Sequence, residues 1–358
     1  MIQFILRRLI FTIPVLVGIL AVTFALTRMV PGDACVAILG ERYTPERCVE
    51  FRARYGLNDS LPVQFVRYMT AVLQGDLGDS VRTGRPVTEV LAQRLPMTLE
   101  LAAGAMLIAT TLGILLGIIS AIRHNSSVDV ATMMGANIGV SMPVFWLGLM
   151  LAYVFALVLK GTPFFIPPSG RLSAGLSLAP LEQLWHLEEA NGLIRFAVSL
   201  LSSSVVLHSL IVGNGDVLRD ALWHLILPSV AVGTIPLAII ARLTRSSLLD
   251  VMHQDYIRTA RAKGLRERSV IMHHALRSAL VPIVTIIGLQ VGGLLSGAVL
   301  TETVFALPGI GTQLVTAIEA RDYPVVQGFT VVVAVIFASI NIVVDLSYAY
   351  LDPRIRVQ

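Results

Sequence analysis

Residues 9–27 read LIFTIPVLVGILAVTFALT, an apolar run without a single charged side chain. A helix needs about 20 apolar residues to cross the hydrocarbon core of a bilayer, so this run is long enough to span it. Arg7 and Arg8 precede the run, as in a secretory signal. However, the run is longer than the apolar part of a cleaved signal peptide, and no small-x-small cleavage site follows it. The sequence therefore predicts an uncleaved signal-anchor helix over residues 1–30.

The composition extends this prediction to the whole chain of 358 residues. Charged residues make up 14% of the chain and apolar residues 55%, and the mean hydropathy is +0.77. Soluble domains usually contain about 25% charged residues. A chain so poor in charge cannot cover a water-facing surface, which excludes a soluble globular protein. The chain is also too apolar to stay disordered, which excludes an intrinsically disordered protein. The net charge of +4 is small and no basic run is interleaved with aromatic residues, so we expect no nucleic-acid partner.

Five further stretches are apolar enough to span, and the predicted fold class is an all-α integral membrane protein with six transmembrane helices. The five are 99–122, 133–159, 225–241, 279–300 and 325–344. A seventh stretch, 196–213, is ambiguous because Ser202, Ser203, Ser204 and His208 dilute its apolar character.

The positions of lysine and arginine decide the topology, because these residues favour the cytoplasmic ends of spans. With six spans, all four basic clusters fall on one side; they are 7–8, 123, 242–277 and 354–356. If 196–213 also crossed, the richest cluster, 242–277, would lie outside. We therefore expect 196–213 to remain at the outer interface and both termini to lie in the cytoplasm.

This topology divides the chain into an anchor, an outer loop, a core and a tail. The outer loop, 31–98, is expected to hold small helices, one starting at Thr44-Pro45 and one over 62–74, followed by a short helix over 86–95. The core, 99–350, includes an outer insertion over 160–224 and a cytoplasmic loop over 247–278. A short tail, 351–358, follows the core.

The sequence lacks the common catalytic and nucleotide-binding motifs. It contains no GxxxxGK[ST] phosphate loop, no HExxH, no GxSxG and no CxxC. His273 and His274 are neighbours in sequence, so on a helix they point in different directions and make a poor metal pair. Ionisable residues are almost missing from the spans, whereas ion-coupled carriers use acids at membrane mid-depth. We expect no enzyme activity, no metal and no cofactor in this chain, and an energy source elsewhere.

Small residues and the two cysteines suggest how the chain packs. Glycines are spaced for close helix contact within the chain in several spans, and those from 288 to 297 also fit a face toward a partner subunit or the conduit; they are Gly113, Gly117, Gly135, Gly139, Gly288, Gly292, Gly293 and Gly297. Proline within spans predicts kinks at Pro143, Pro228 and Pro236. Cys35 and Cys48 share the outer loop, where an oxidising compartment would allow a disulfide. Free cysteine is also a common buried apolar residue, so both interpretations stay open.

The functionally informative stretch is DYIRTARAKGLRERSVIMHHALRSALVPIVT, residues 255–285. Helical spacing places Tyr256, Ile257 and Ala260 on one apolar flank, with basic residues facing away, and Gly264 is positioned to end the helix. A short helix with a small apolar face and basic flanks is suited to dock into a soluble partner. An interfacial helix held by anionic lipid fits the same periodicity.

The residue pattern of this loop favours the docking interpretation. RTARAKGL (258–265), followed by HALR–A–P (274–282), resembles the signature loop of membrane subunits of ATP-binding-cassette importers, within the dipeptide/oligopeptide permease family. The loop departs from the wider pattern at Arg258, Thr259 and Arg277, which look normal for the peptide-type subfamily. Other motifs look like the first of the family's two permease subunits; among them are GLNDSLPVQ (56–64), GDLGDS (75–80), RLPMTLELA (94–102), SMPVFWLG (141–148), LTETVFALPGIG (300–311), RDYPVVQG (321–328) and LDPRIR (351–356).

The resemblance implies a type I importer permease fold in a bacterial inner membrane. It implies four further partners: a second homologous permease subunit, two ATPases that bind ATP and Mg²⁺, and an extracytoplasmic substrate-binding protein. The residues implied to contact an ATPase are Tyr256, Arg258, Thr259, Ala260, Arg261, Ala262, Lys263, Gly264 and Leu265.

The expected cargo is di- or oligopeptides. Nickel complexes, haem or glutathione are the alternatives within the family, and a stand-alone channel or secondary carrier is the alternative outside it. The sequence assigns no residue to the substrate path.

Overall fold

The computed structural model of the chain describes residues 2–29, 35, 44–54, 56–187, 192–297 and 299–351. Nearly all of the regular structure in these ranges is α-helical. The helices are α1 (Ile2–Met29), α2 (Pro45–Arg54), α3 (Leu61–Leu73), α4 (Val87–Ile122), α5 (Ser127–Ser141), α6 (Val144–Ala152), α7 (Leu181–Leu184), α8 (Gly192–Ser203), α9 (Val205–Val212), α10 (Gly215–Met252), α11 (Asp255–Ala262), α12 (Glu267–Ser269), α13 (Leu276–Gly297), α14 (Val299–Val304), α15 (Ile310–Glu319) and α16 (Tyr323–Leu351).

Two π-helical turns, Tyr153–Val158 and Val270–Ala275, extend α6 and precede α13. Within the described ranges, five helices are long and apolar enough to cross a membrane: α1, α4, α10, the helical run from α12 into α13, and α16. Two bent helix pairs, α5 with α6 and α8 with α9, raise the number of candidate spans to as many as seven.

Helices α4 and α10 pack backbone against backbone. A methyl group added at Gly113 would lie 2.9 Å from the carbonyl oxygen of Leu237, and one added at Gly117 would lie 2.7 Å from that of Ala241. In lipid, helices gain little from burying apolar surface and associate through such close contacts. The prediction that Gly113 and Gly117 pack spans together is confirmed. The contacts follow the same order along both helices, so α4 and α10 run in parallel.

This parallel arrangement tests the topology, because it requires an odd number of crossings between the end of α4 and the start of α10. The bundle has two ends: the loop end, which holds residues 253–275, and the insertion end, which holds residues 160–187 and 192–214. The α5–α6 pair connects them. Asp129 of α5 contacts Arg245 near the loop end, and Gly139 packs near Thr234 halfway along α10. Gly148 of α6 then faces Phe305 at the insertion end.

The α8–α9 pair begins and ends at the insertion end. Phe196 and Leu200 of α8 pack against the cluster formed by the first turns of α4. The backbone N–H of Val206, in the first turn of α9, donates to Glu100 of α4 at 2.9 Å. The two helices meet at an angle of 93° and do not traverse the bundle. The expected non-crossing of 196–213 matches this path.

The third span differs from the expected kinked helix over 133–159. It is broken at Met142-Pro143, and its halves bend by 102°. Met142 has extended backbone angles, φ −86° and ψ 132°, because a residue before proline is pushed out of the helical region. By contrast, α10 continues as one helix through Pro228 and Pro236.

Helices α13 and α16 run antiparallel. Gly288 and Gly292 of α13 face Val344 and Phe337 of α16 at distances that leave no room for a side chain. Gly135 and Gly293 are different: a methyl group at either would meet nothing within 4 Å, so neither makes the close contact between spans of this chain that the spacing suggested. For Gly293 the alternative of a face toward a partner subunit or the conduit stays a prediction.

Helix α1 lies along α16, and the side-chain amide of Gln327 donates to the hydroxyl of Thr27 at 3.0 Å. Because α13 and α16 are antiparallel and α1 lies along α16, the start of α1 and the end of α16 lie at the loop end, together with residues 253–275. The basic cluster 354–356 and the rest of the predicted tail lie outside the described residues.

Two predicted boundaries fall inside helices. Helix α4 starts at Val87, so the expected short helix over 86–95 and the boundary at 98/99 belong to one continuous helix. Pro96 lacks the amide hydrogen for one helical bond, yet the helix continues through it, and its first turns are buried in a cluster that includes Val87, Leu91 and Phe329. Helix α10 starts at Gly215, within the expected insertion 160–224.

The helices of the outer loop start and end close to the residues that the sequence predicts. Helix α2 starts at Pro45, α3 covers 61–73, and Gly56 and Gly75 follow them with positive φ angles of 61° and 79°. Cys35 and Cys48 lie with their Cα atoms 5.6 Å apart and their sulfurs at bonding distance, 2.04 Å. This geometry is that of the disulfide alternative.

The α4–α10 contact predicts an unequal response to two glycine substitutions. Gly117→Leu should force the two backbones apart and cost about 1–3 kcal/mol of folding free energy, the usual range for overpacking. Gly135→Leu adds the same side chain at a site without a neighbour and should leave stability unchanged. The thermal stability of the purified chain in detergent measures both. Equal melting temperatures for the two variants would contradict the packing described here.

Candidate functional site

The loop between α10 and α13 forms a helical hairpin that turns at Gly264. Gly264 has a φ angle of +76°, in the left-handed region. The N–H of Gly264 donates to the carbonyl of Arg261 at 2.9 Å, and the N–H of Leu265 donates to that of Ala260 at 3.4 Å, which closes the end of α11. The prediction that Gly264 ends the helix in a conformation unsuited to other residues is confirmed.

The apolar side of α11 faces the chain's own bundle. Ile257 is fully buried and Ala260 is 7% exposed. They belong to one core cluster with buried residues of α4, α10, α13 and the π-helical turn; its other members are Ile118, Ala121, Leu248, Val270, Ala275, Ala279 and Ile283. The expectation that Ala260 lies on a surface offered to a partner is therefore wrong. Periodicity gave the apolar flank correctly, but the chain itself covers that flank.

The remaining predicted loop residues form a protruding surface. Arg258, Thr259, Arg261, Ala262, Lys263, Gly264 and Leu265 are all exposed. Tyr256 is also exposed, although its hydroxyl donates to Ser278 Oγ at 2.8 Å and ties α11 to α13. We name this exposed set, together with Tyr256, the loop surface.

The loop surface combines positive charge with one large apolar side chain. Leu265 is 43% exposed at the turn. Arg261 donates to Glu267 Oε1 at 2.7 Å across the hairpin, which braces the turn and raises the pKa of the Arg261 guanidinium. Arg258 lies 3.4 Å from Asp255, and both side chains are largely exposed, so that pair adds little stability. The surface is basic around a rigid turn.

A buried ion pair fastens the bundle just beside the hairpin. Arg245 of α10 donates through Nε and a terminal nitrogen to the two carboxylate oxygens of Asp129, at 2.7 and 2.8 Å. Asp129 also accepts hydrogen bonds from the Ser120 hydroxyl and from the Asn125 amide. This arrangement joins the end of α4, the start of α5 and α10. The ion pair could not be predicted, because nothing in a single sequence pairs residues that are 116 positions apart.

At the insertion end, the motifs that carried the family resemblance contact one another. Glu302, from LTETVFALPGIG, is fully buried and accepts hydrogen bonds from the Thr98 hydroxyl of RLPMTLELA at 2.6 Å and from the Thr312 amide at 3.1 Å. Burial raises the pKa of the Glu302 carboxyl. Asp322, from RDYPVVQG, accepts from the Ser80 hydroxyl of GDLGDS at 2.5 Å.

Glu100 of α4 anchors the outer insertion in a similar way. Its carboxylate accepts from Arg171 at 2.8 Å, from the Ser204 hydroxyl at 2.7 Å and from the Val206 amide. Glu100 lies at the start of the predicted span 99–122, and the expectation that spans contain almost no ionisable residues did not take it into account. Within the described ranges, no three His, Cys, Asp or Glu side chains come close enough together to hold a metal ion.

Comparison with known proteins assigns the family. Residues 113–357 match the family described as binding-protein-dependent transport system inner membrane component, and residues 1–102 match the N-terminal region of such membrane components. The chain belongs to this family.

Its relatives are similar over their full length. The chain is 44% identical to the dipeptide transport system permease protein DppB of Escherichia coli strain K12, over 99% of each chain. It is 43% identical to the protein of the same name from Alkalihalophilus pseudofirmus, over 99% of this chain and 100% of the relative. It is 44% identical to the di/tripeptide transport system permease protein DppB of Pseudomonas aeruginosa, over 100% of each chain.

Family membership agrees with the fold. The chain is a multi-pass, all-α membrane protein with the type I importer permease fold that the resemblance implied, including the helical hairpin between its fourth and fifth spans.

The burial of Ile257 predicts how the hairpin is held in place. Ile257→Ala should lower the free energy that holds the hairpin against the helix bundle by about 2–4 kcal/mol, the usual cost of truncating a large buried aliphatic side chain. Trypsin should then cleave the basic residues 258–266 faster. Leu265→Ala removes an exposed side chain of similar size and should leave the cleavage rate unchanged. Equal cleavage rates for the two variants would show that Ile257 does not hold the hairpin.

Proposed function

We propose that this chain is one of two membrane subunits of an ATP-driven importer of di- or oligopeptides. Two of the relatives carry the name of dipeptide permease and one that of di/tripeptide permease, and each is matched at 43–44% identity over nearly its whole length. Similarity that extends through both the loop end and the insertion end supports a shared cargo class as well as a shared fold.

The proposed assembly contains a second, homologous permease subunit, two ATPases and an extracytoplasmic binding protein. The family is described as binding-protein-dependent, which supports the last of these partners. ATP and Mg²⁺ would be bound by the ATPases, and this chain would contribute no catalytic group. Its own role would be to form the membrane conduit and to receive the movement that ATP binding and hydrolysis produce.

The loop surface would be the contact with an ATPase. Its basic residues and Leu265 are exposed on a turn that the Arg261–Glu267 pair braces. Behind it, Ile257 and Ala260 tie the hairpin to the ends of α4, α10 and α13. A force applied to the turn would therefore reach three spans at once. Coupling of this kind needs one element whose position both sites influence, and the hairpin with its core cluster is that element.

The loop end would face the cytoplasm of a bacterial cell, with both termini on the same side. The concentration of arginine and lysine over residues 242–277, together with Arg7, Arg8 and Arg123, supports this orientation. The outer loop, with Cys35 and Cys48, would then lie in the more oxidising compartment, where a disulfide persists.

Substitutions at Gly264 test the proposed coupling contact. Within this chain a Cβ added there meets no atom within 4 Å, so a substitution strains the backbone conformation without a clash inside the chain. The left-handed conformation costs residues other than glycine about 1–2 kcal/mol, and asparagine tolerates it better. Gly264→Val should therefore weaken association with the ATPase subunits by about 5- to 30-fold and reduce peptide uptake. Gly264→Asn should retain most of both.

Co-purification with the ATPase subunits and uptake of a labelled dipeptide are the two measurements. Membrane insertion of both variants, checked by fractionation, separates lost docking from lost folding. Normal association and normal uptake in Gly264→Val would overturn the assignment of the loop surface. Normal association without dipeptide uptake in the unaltered chain would instead count against the proposed cargo.

A further inference from the structure

A cleft lies between the carboxy-terminal half of α1 and helix α3. Its volume is about 720 Å³, and its walls include Phe24, Ala25 and Arg28 of α1 together with Leu61 and Phe65 of α3. Neither the coupling hairpin nor the motif contacts at the insertion end belong to it. The lower part of the cleft is apolar, and its upper edge carries the guanidinium of Arg28.

Arg28 is held in place by contacts that leave part of its guanidinium group available. Its Nε donates to Gln64 Oε1 at 3.1 Å, and the guanidinium lies over the rings of Phe24 and Tyr323, 4.9 and 5.6 Å from their centres. Gln64 is fixed in turn because its amide donates to the carbonyl of Asp59 at 2.8 Å. Among the described residues, the two terminal nitrogens of Arg28 take part in no hydrogen bond or ion pair. They form a preoriented fork of the kind that binds phosphate.

The charges around the cleft favour an anion. Arg52 also contributes to the lining, and the described lining residues include no carboxylate. The nearby acid Asp59 is engaged with Arg67, whose terminal nitrogen lies 2.7 Å from its carboxylate. An anionic group entering the cleft beside Arg28 would therefore meet the Arg28 guanidinium without a carboxylate in the cleft lining.

The position of the cleft places it at a membrane surface. Helix α1 is apolar enough to span, and Arg28 lies in its last turn. Val22 and Leu26, on the turns below, are about 60% exposed, as expected for side chains that face lipid. Helix α3 exposes Val66 and Leu73, so it resembles an amphipathic helix lying at the membrane interface. The apolar part of the cleft thus opens toward hydrocarbon, and its charged edge is at headgroup level.

We propose that this cleft binds one anionic phospholipid from the leaflet at the carboxy-terminal end of α1. The phosphate lies on the terminal nitrogens of Arg28, and an acyl chain lies between α1 and α3 beside Phe24, Ala25 and Phe65. The lipid fills the space between the first span and the outer helices, and so fastens α3 to the membrane helices. This inference needs only that α1 spans the membrane, and it is independent of the transported cargo.

The test measures binding of dioleoyl-phosphatidylglycerol to the full chain by native mass spectrometry, for the isolated chain and for its complex with the partner subunits. Arg28→Gln should weaken binding by about fivefold, the effect of one basic residue at a lipid surface. Arg85→Gln is the matched control, because Arg85 is an exposed arginine that pairs with Glu89 and lies outside the cleft. It should leave binding unchanged.

A second variant tests the acyl-chain half of the cleft without touching Arg28. Ala25 is exposed at the cleft wall, so Ala25→Trp should fill the apolar part and weaken phosphatidylglycerol binding while the chain still folds. Size-exclusion profiles that match the unaltered chain verify folding of each variant. Binding that survives both Arg28→Gln and Ala25→Trp would overturn the proposal.

Competition distinguishes a lipid from a free anion. Inorganic phosphate and sn-glycerol 3-phosphate lack an acyl chain and should not displace phosphatidylglycerol. Displacement by either at the concentrations at which the lipid binds would show a soluble-anion site instead. Equal affinity for dioleoyl-phosphatidylcholine would contradict the role of net charge. Loss of the lipid on assembly with the partner subunits would show that a protein covers the cleft.

Discussion

Helices α4 and α10 approach so closely that one methyl group at Gly117 would overlap the backbone of the neighbouring helix. A lipid environment supplies little hydrophobic drive for helix association, so contact of this kind is what holds spans together. The contact also sets the direction of α10 relative to α4. Because the two run in parallel, an odd number of segments between them crosses the bundle: the α5–α6 pair traverses it, and the α8–α9 pair stays at the insertion end. The positions of the outer insertion and of the hairpin both follow.

The same pair of helices connects the two ends of the molecule. At the loop end, Ser120 of α4 and Arg245 of α10 share the carboxylate of Asp129, next to the cluster that buries Ile257. At the insertion end, Thr98 of α4 holds Glu302. A rotation of the hairpin would therefore be carried along two long helices that are joined over their length. This arrangement explains how a small loop could reorient a conduit without chemistry in the chain itself.

The features that sequence predicted correctly depend on local or one-dimensional properties. Span length, the distribution of basic residues and the spacing of glycines predicted the helices, the path of 196–213 and the contact at Gly117. The features that it missed depend on what lies across the fold. Periodicity identified the apolar flank of α11 but not that Ala260 faces its own bundle. Proline at 143 predicted a kink but not a bend as large as 102°, after which α6 packs against α10 and α14. The Glu302–Thr98 contact joins residues 204 positions apart.

The proposed function requires this chain to form a conduit for peptides that moves only when attached ATPases drive it. Reconstitution into liposomes tests this most directly, with uptake of a labelled dipeptide measured in the presence of the binding protein. We expect ATP-dependent uptake when this chain, the second permease subunit and the ATPases are all present, and no uptake by this chain alone. Dipeptide uptake by this chain alone, driven by an ion gradient without any ATPase, would contradict it.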